Sequence, residues 1–216
     1  MKRLAVLAVL VAFAAGAFAQ DIQLKEPPGK IGADLFDAIK MRATARTFVR
    51  GEVPTADLSA ILWAGNGLKG ADATSGASKA GRTVAYSGDN AYGNVYVLDS
   101  KGVFRYEAER SLLEQLSNKD ERGTITQENI LTAALMVLFT ADTTKAPPFM
   151  KGNLALFHDV ANASASYCAQ NIALAAGVFK LGSIVMYNIR PDAAAAAAKL
   201  PKEELPLFIM QLGYTK

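Results

Sequence analysis

The sequence predicts an α+β fold in which a mixed or antiparallel central sheet is flanked by helices, one of them long and central. Three patterns lead there. Helical and extended stretches alternate with no linker-like segment between them, which puts residues 20–216 in one domain. Residues 94–99 and 103–106 read as strands joined by Ser100-Lys101-Gly102, a hairpin and therefore an antiparallel pair. A helical pattern then runs from Leu154 to Phe179, and its middle carries Ala161, Ala163, Ser164, Ala165, Ser166 and Ala169. Such small side chains let another backbone come close, which suits a buried central helix and equally a helix that also meets a second subunit.

In chain order, Lys2 and Arg3 precede the apolar run 4–15 and then Ala17-Phe18-Ala19, the pattern of a secretory signal peptide cleaved after Ala19. The run is shorter than the ~20 apolar residues of a spanning helix. No Cys stands at the cleavage point, and the paired arginines of the folded-export route are absent. The expected location is therefore periplasmic or secreted by the Sec-type route, with no stable membrane anchor after cleavage. Residues 20–32, with Pro27, Pro28 and Gly29, read as an extended arm, and residues 33–41 as a short helix with Leu35, Phe36 and Ile39 on one face.

Thr55 suits the cap of a helix over 56–64, whose apolar side is Leu58, Ile61, Leu62 and Trp63, with Gly65 just past its end. Trp63 reads as core. Residues 71–93, rich in Gly, Ser, Ala and Asp, suit a loop carrying function. Beyond the hairpin, 109–116 reads as a helix, and the apolar run 134–140 as a central strand covered on both faces. A short strand at 183–187, a helix capped by Asp192 over the alanine run 193–198, and a last strand at 207–212 complete the reading.

Composition excludes several chemistries. Without Lys2 and Arg3 the chain keeps 21 basic and 20 acidic side chains, no excess for a nucleic-acid partner. The single Cys168 rules out an internal disulfide and reads as a small buried apolar residue. With His158 the only histidine, a His/Cys metal site or a Ser-His-Asp triad lacks material, so no catalytic side chain and no metal is expected.

Chemistry concentrates in Arg42-Ala43-Thr44-Ala45-Arg46-Thr47-Phe48. In extended backbone Arg42, Thr44 and Arg46 point to one side and can converge on an anion, because arginine offers a fixed fork of donors and keeps its charge. Read alone, the segment fits a solvated basic stretch at least as well.

Later segments add an order to it. The segment resembles the R-x-S-x-R-x-F start of the nitroreductase family, whose members bind FMN. Tyr86-Ser87-Gly88-Asp89-Asn90 resembles that family's P-S-x-x-N segment, Gln170-Asn171-Ile172 and Leu174-Ala175-Ala176 its Q-N-L and L-A-A helix, Leu181-Gly182-Ser183 its L-G-[ST] turn, and Leu212-Gly213-Tyr214 its closing V-G-Y. Arg82-Thr83 ahead of Ser87 looks closest to the branch that includes azoline and thiazoline oxidase-type dehydrogenases.

By position, the resemblance implies that Arg42, Thr44 and Arg46, with backbone from Ala43, hold the FMN phosphate and ribityl chain. It puts Ser87 and Asn90 against the flavin ring or ribityl hydroxyls, and Gly182, Met186, Tyr187 and Asn188 around the isoalloxazine, where family members present backbone donors near N5. Lys216 can stand in for a closing Arg that many members aim at the phosphate. The implied protein is an exported nitroreductase-like, FMN-dependent oxidoreductase, a homodimer with FMN at its interface, passing two electrons to a small acceptor such as a nitro or quinone compound. NAD(P)H is not expected outside the cytoplasm, which leaves the electron donor open. Tyr86 replaces the family's Pro, Tyr187-Asn188 replaces a small Gly-rich pair, and the closing Arg is absent. These departures suggest the alternative, an exported non-catalytic module that binds a flavin or another ligand on the same fold.

Overall fold

The computed structural model describes residues 20–69, 81–126 and 133–216. The expected leader and its cleavage point, and the first part of the expected functional loop (71–80), lie outside the described residues. Among the described residues seven strands form one sheet: β1 (Ile22–Gln23), β2 (Gly93–Asp99), β3 (Gly102–Glu107), β4 (Leu112–Ser117), β5 (Leu135–Asp142), β6 (Leu181–Met186) and β7 (Glu204–Tyr214). Their order is β1-β4-β3-β2-β5-β7-β6 with every neighbouring pair antiparallel.

The helices are α1 (Leu35–Met41), α2 (Thr55–Asn66), the single turn α3 (Arg122–Ile125), α4 (Leu154–Val178) and α5 (Pro191–Ala197). Central β5 reads as a continuous apolar run because both its faces are covered. Leu135, Val137, Phe139 and Ala141 enter the core shared with α2 and α4, while Met136 and Leu138 enter a smaller one with Ile125 of α3 and Ala194 of α5.

The long helix α4 starts where the Asn153 side chain accepts the Leu156 N–H, and it ends just before Lys180 at a φ of 61°. Ala161, Ser164, Ala165 and Ala169 pack inward, whereas Ala163 is exposed, and Gly65 serves that packing rather than ending α2. A Cβ on Gly65 would lie 2.6 Å from Ile172 Cγ1 and 3.1 Å from Cys168 Sγ. The helix α2 continues to Asn66, with Gly67 at its C-cap.

Four local expectations change. Residues 109–116 are not a helix. Leu112–Ser117 is β4, paired with β3 on one side and β1 on the other, so cross-strand pairing overrides a locally helix-like spacing. Asp192 and Thr55 do not cap: each sits in the first turn behind Arg190 or Pro54, and neither helix has a side-chain cap. The apolar face of α1 points outward, with Leu35 at 64 %, Phe36 at 73 % and Ile39 at 50 % exposure, and only Ala38 buried. Trp63 is half-buried, donating its indole N–H to the Leu68 carbonyl.

Candidate functional site

The site forms on the free edge of β6. Residues 43–45 run along it as a parallel bridge between Thr44 and Ser183, in which Ser183 N–H donates to the Ala43 carbonyl (3.1 Å) and Ala45 N–H to the Ser183 carbonyl (3.0 Å). This pairing holds the segment extended, and the period-2 alternation of extended chain does the rest. Ala45 turns inward, while Arg42, Thr44 and Arg46 line one cavity of about 450 Å³.

Two glycines permit the approach. A Cβ on Gly182 would lie 2.5 Å from Ala45 Cβ, and one on Gly177 of α4 would lie 2.9 Å from the Arg42 nitrogen. Neither position has room for a side chain.

Opposite the arginines, α4 contributes Ser166, Ala169, Gln170 and Ala173, and the floor comes from Ser183, Ile184 and Val185 of β6 with Phe208 and Met210 of β7. The result is two-ended. Arg42 Nη1–H donates to Thr44 Oγ1 (3.1 Å), so the hydroxyl can accept from Arg42 and still donate its own proton onward. No carboxylate lines the cavity, and among the described residues neither Arg42 nor Arg46 has an acidic partner. The basic end can grip an anion through two guanidinium forks, while the partly exposed Val185 offers apolar surface over the buried Phe208 and Met210.

Ala43 and Gly182 sit on the reverse side of the segment, around a second cavity of about 420 Å³ with Gly177 and Thr215. Met186 points its side chain to the opposite sheet face, where it packs with Ile209 and Ala194. Tyr187 lies beside the site, its ring 4.9 Å from that of Phe208 between centroids and 61 % exposed. Asn188 is exposed, its carbonyl accepting from Thr126 Oγ1.

Ser87, Asn90 and Lys216 do not line the cavity. Ser87 N–H donates to Tyr92 Oη (3.3 Å), which is bonded in turn to Ser164 Oγ (2.9 Å), and Asn90 and Lys216 are exposed. Tyr86, a bulky replacement that would crowd the site under the alternative reading, belongs to the core instead. It is buried, donates to Asn66 Oδ1 at 2.9 Å and meets Tyr92 edge-on, and burial pushes its phenol well above the usual range. Arg82 and Thr83 are tied to Glu109, to the Asn66 carbonyl and to the Trp63 carbonyl.

Three polar contributors had no expected role: Ser166, Gln170 and Ser183. The signal was present, since 166, 169, 170 and 173 follow the i, i+3, i+4, i+7 spacing of one helix face. The next residue, Asn171, donates to the Ala64 carbonyl and binds α4 to α2.

Among the described residues no group of three or more His, Cys, Asp or Glu could hold a metal, and no helix is long and apolar enough to cross a membrane. His158 is half-exposed beside Asn162, and burial pushes the Cys168 thiol far up.

Solved structures share this fold. A protein of Ralstonia eutropha JMP134 classed as a nitroreductase superposes with a TM-score of 0.79 at 24% identity, covering 91% of this chain and 90% of the other. The NADPH:FMN oxidoreductase of Vibrio harveyi gives 0.58 at 17% identity over 84% of this chain and 68% of that one. A chain of the Escherichia coli microcin synthetase McbBCD complex, bound to truncated pro-MccB17, gives 0.65 at 14% identity over 99% and 85%. No curated protein matches the sequence. The model of the nitroreductase family matches residues 39–214, from the end of α1 to the last residue of β7 and so across the whole cavity, and the chain belongs to the nitroreductase family.

Proposed function

We propose that this protein is an exported FMN-dependent oxidoreductase that passes two electrons to a small organic acceptor. One observation carries the reading: Arg42, Thr44 and Arg46 converge, with no opposing carboxylate, on a cavity of about 450 Å³ whose far wall is apolar. That volume is within the range of small-molecule and cofactor sites, roughly 300–1,000 Å³. Its two ends match the two ends of a flavin mononucleotide, a dianionic phosphate and a flat ring.

In this reading Arg42 and Arg46 grip the phosphate, and Thr44 donates its hydroxyl to it while accepting from Arg42. Ser166, Gln170 and Ser183 offer hydrogen bonds along the ribityl chain, and Val185, Phe208 and Met210 keep water from one side of the ring. When bound, the flavin supplies the two-electron chemistry, for which the protein provides placement and field.

The Ser87 to Asn90 segment lies outside the cavity of its own protomer, and the apolar face of α1 is turned to solvent. Both fit a homodimer in which a second copy completes the cofactor site. Export rests on the signal-peptide pattern of residues 1–19. The burial of Tyr86 removes one of the features that suggested a non-catalytic module.

The absorbance spectrum of the purified mature chain, before and after incubation with FMN and desalting, tests the cofactor. A stoichiometric flavin band is expected, and a colourless protein after reconstitution defeats the proposal. Reduction of a quinone by the flavin-loaded protein with a chemical reductant tests turnover, and tight FMN binding with no turnover over a broad acceptor panel would return the protein to the class of binding modules.

A further inference from the structure

Tyr187 is the residue just beyond β6, and its ring packs tilted against Phe208 at a centroid distance of 4.9 Å and an interplanar angle of 42°. Phe208 in turn lies 4.9 Å from Phe139, so an aromatic row runs from the core, through a cavity wall, to the surface. Its inner members are fully covered, Phe139 at 1 % and Phe208 at 0 % exposure, while Tyr187 is 61 % exposed. Val185, which lines the cavity on the same face of β6, is 40 % exposed.

The end of β6 beside the cavity thus carries exposed apolar surface from Val185 and Tyr187. Tyr187 lies four positions beyond Ser183 at the basic end, about 13 Å in extended chain. A ring held on one side by Phe208 and open on the other is a preset stacking surface, because its conformational freedom is already reduced before anything meets it.

We propose that Tyr187 is a specificity-determining residue, whose exposed ring stacks against the incoming acceptor and selects flat aromatic molecules over saturated ones of the same size and charge. The inference rests on the reading of the cavity as an electron-transfer site, and it adds the residue that chooses what reaches it.

Calorimetry on the purified protein, loaded with FMN, compares two probes of equal charge and ring count, 2-naphthoate and decahydronaphthalene-2-carboxylate. The wild-type protein is expected to prefer the flat probe. Tyr187→Leu, which keeps Phe208 covered but removes the ring, is expected to lose that preference by roughly three- to tenfold. Tyr187→Phe is expected to retain it, and both variants should hold FMN through desalting as the wild type does.

Equal wild-type affinity for the two probes overturns the proposal, as does a preference that survives in Tyr187→Leu. A preference lost in Tyr187→Phe assigns the selection to the hydroxyl and overturns it too. Loss of FMN from Tyr187→Leu places the ring on the cofactor and likewise overturns it. A wild-type protein that takes up no FMN defeats the oxidoreductase reading instead, and the two-probe comparison on that protein still decides whether Tyr187 selects flat rings.

Discussion

The arginines at the β6 edge and the arginines buried beneath the far loops differ in what answers their charge. Arg122 is 4 % exposed and fully engaged, with Nε and Nη2 on the two oxygens of Asp120 at 2.8 and 2.7 Å and Nη1 on the Ala133 carbonyl at 2.6 Å. Arg82 is held by Glu109 and the Asn66 carbonyl, although its buried Nε has no partner among the described residues. Among the described residues Arg42 has only the Thr44 hydroxyl and Arg46 has no acidic partner. A charge answered inside the protein is architecture, whereas two charges with no carboxylate partner among the described residues, both lining one cavity, are what the proposed anion site requires.

Changing both clamp residues, Arg42→Ala with Arg46→Ala, should break the comparison most. Loss of two charge-assisted contacts predicts FMN binding weaker by about 100-fold or more. The urea midpoint should hardly move, because among the described residues neither carries a protein ion pair. Unchanged flavin affinity would show that the phosphate binds elsewhere.

Asp120→Ala should do the opposite. It strands the Arg122 guanidinium with only the Ala133 carbonyl, and with Asp120 itself 30 % exposed a loss of about 2 kcal/mol in unfolding free energy is expected, with FMN retention intact. A drop in flavin binding of similar size would mean that the two arginine sets are not independent.

Gly182→Ala separates the presence of the charges from their placement. Its new Cβ would sit 2.5 Å from Ala45 Cβ, so the segment must lift from β6 although every arginine remains. Overpacking of this kind costs about 1–2 kcal/mol, and FMN binding roughly tenfold weaker by fluorescence titration is expected. Full affinity would show that the pairing at Ser183 does not set the arginine geometry.

Acid titration gives the smallest effect. The hydrogen bond from Arg122, first among its causes, holds the Asp120 carboxyl below the usual carboxylate range. A group with a depressed folded pKa stabilises above its unfolded value, near 4, and that contribution fades as pH falls through the folded value. The stability gap between wild type and Asp120→Ala should therefore be present at neutral pH and close on acidification below about 4, as read from urea midpoints. A gap that stays constant to low pH would assign it to packing.

Much of the site was legible because its logic is local. Arg42, Thr44 and Arg46 alternate with alanines, and any extended backbone sends the three to one side. The small-residue stripe of α4 announced a close contact in the same way, and the order of short segments along the chain identified the family. Other features were not legible. The spacing in residues 109–116 fits a helix, yet β3 and β1 recruit Leu112–Ser117 as a strand. Ser87 and Asn90 follow a family pattern, but their loop lies against Tyr92 and Ser164 rather than at the arginine cavity. Gln170 and Ser183 line that cavity, although they lie far from Arg42 along the chain.

By itself, then, the sequence determined the inventory and the local geometry. One His and one Cys leave no material for a metal cluster or a triad, and the alternating arginines need only an extended chain to become a clamp. The tertiary structure decided which surfaces meet. It seated residues 43–45 on the β6 edge, turned the apolar face of α1 outward, buried Tyr86 and left Tyr187 open. Side-chain direction follows from backbone periodicity over a few residues, whereas burial and adjacency follow from pairings between strands and helices far apart in the chain, which no local pattern encodes.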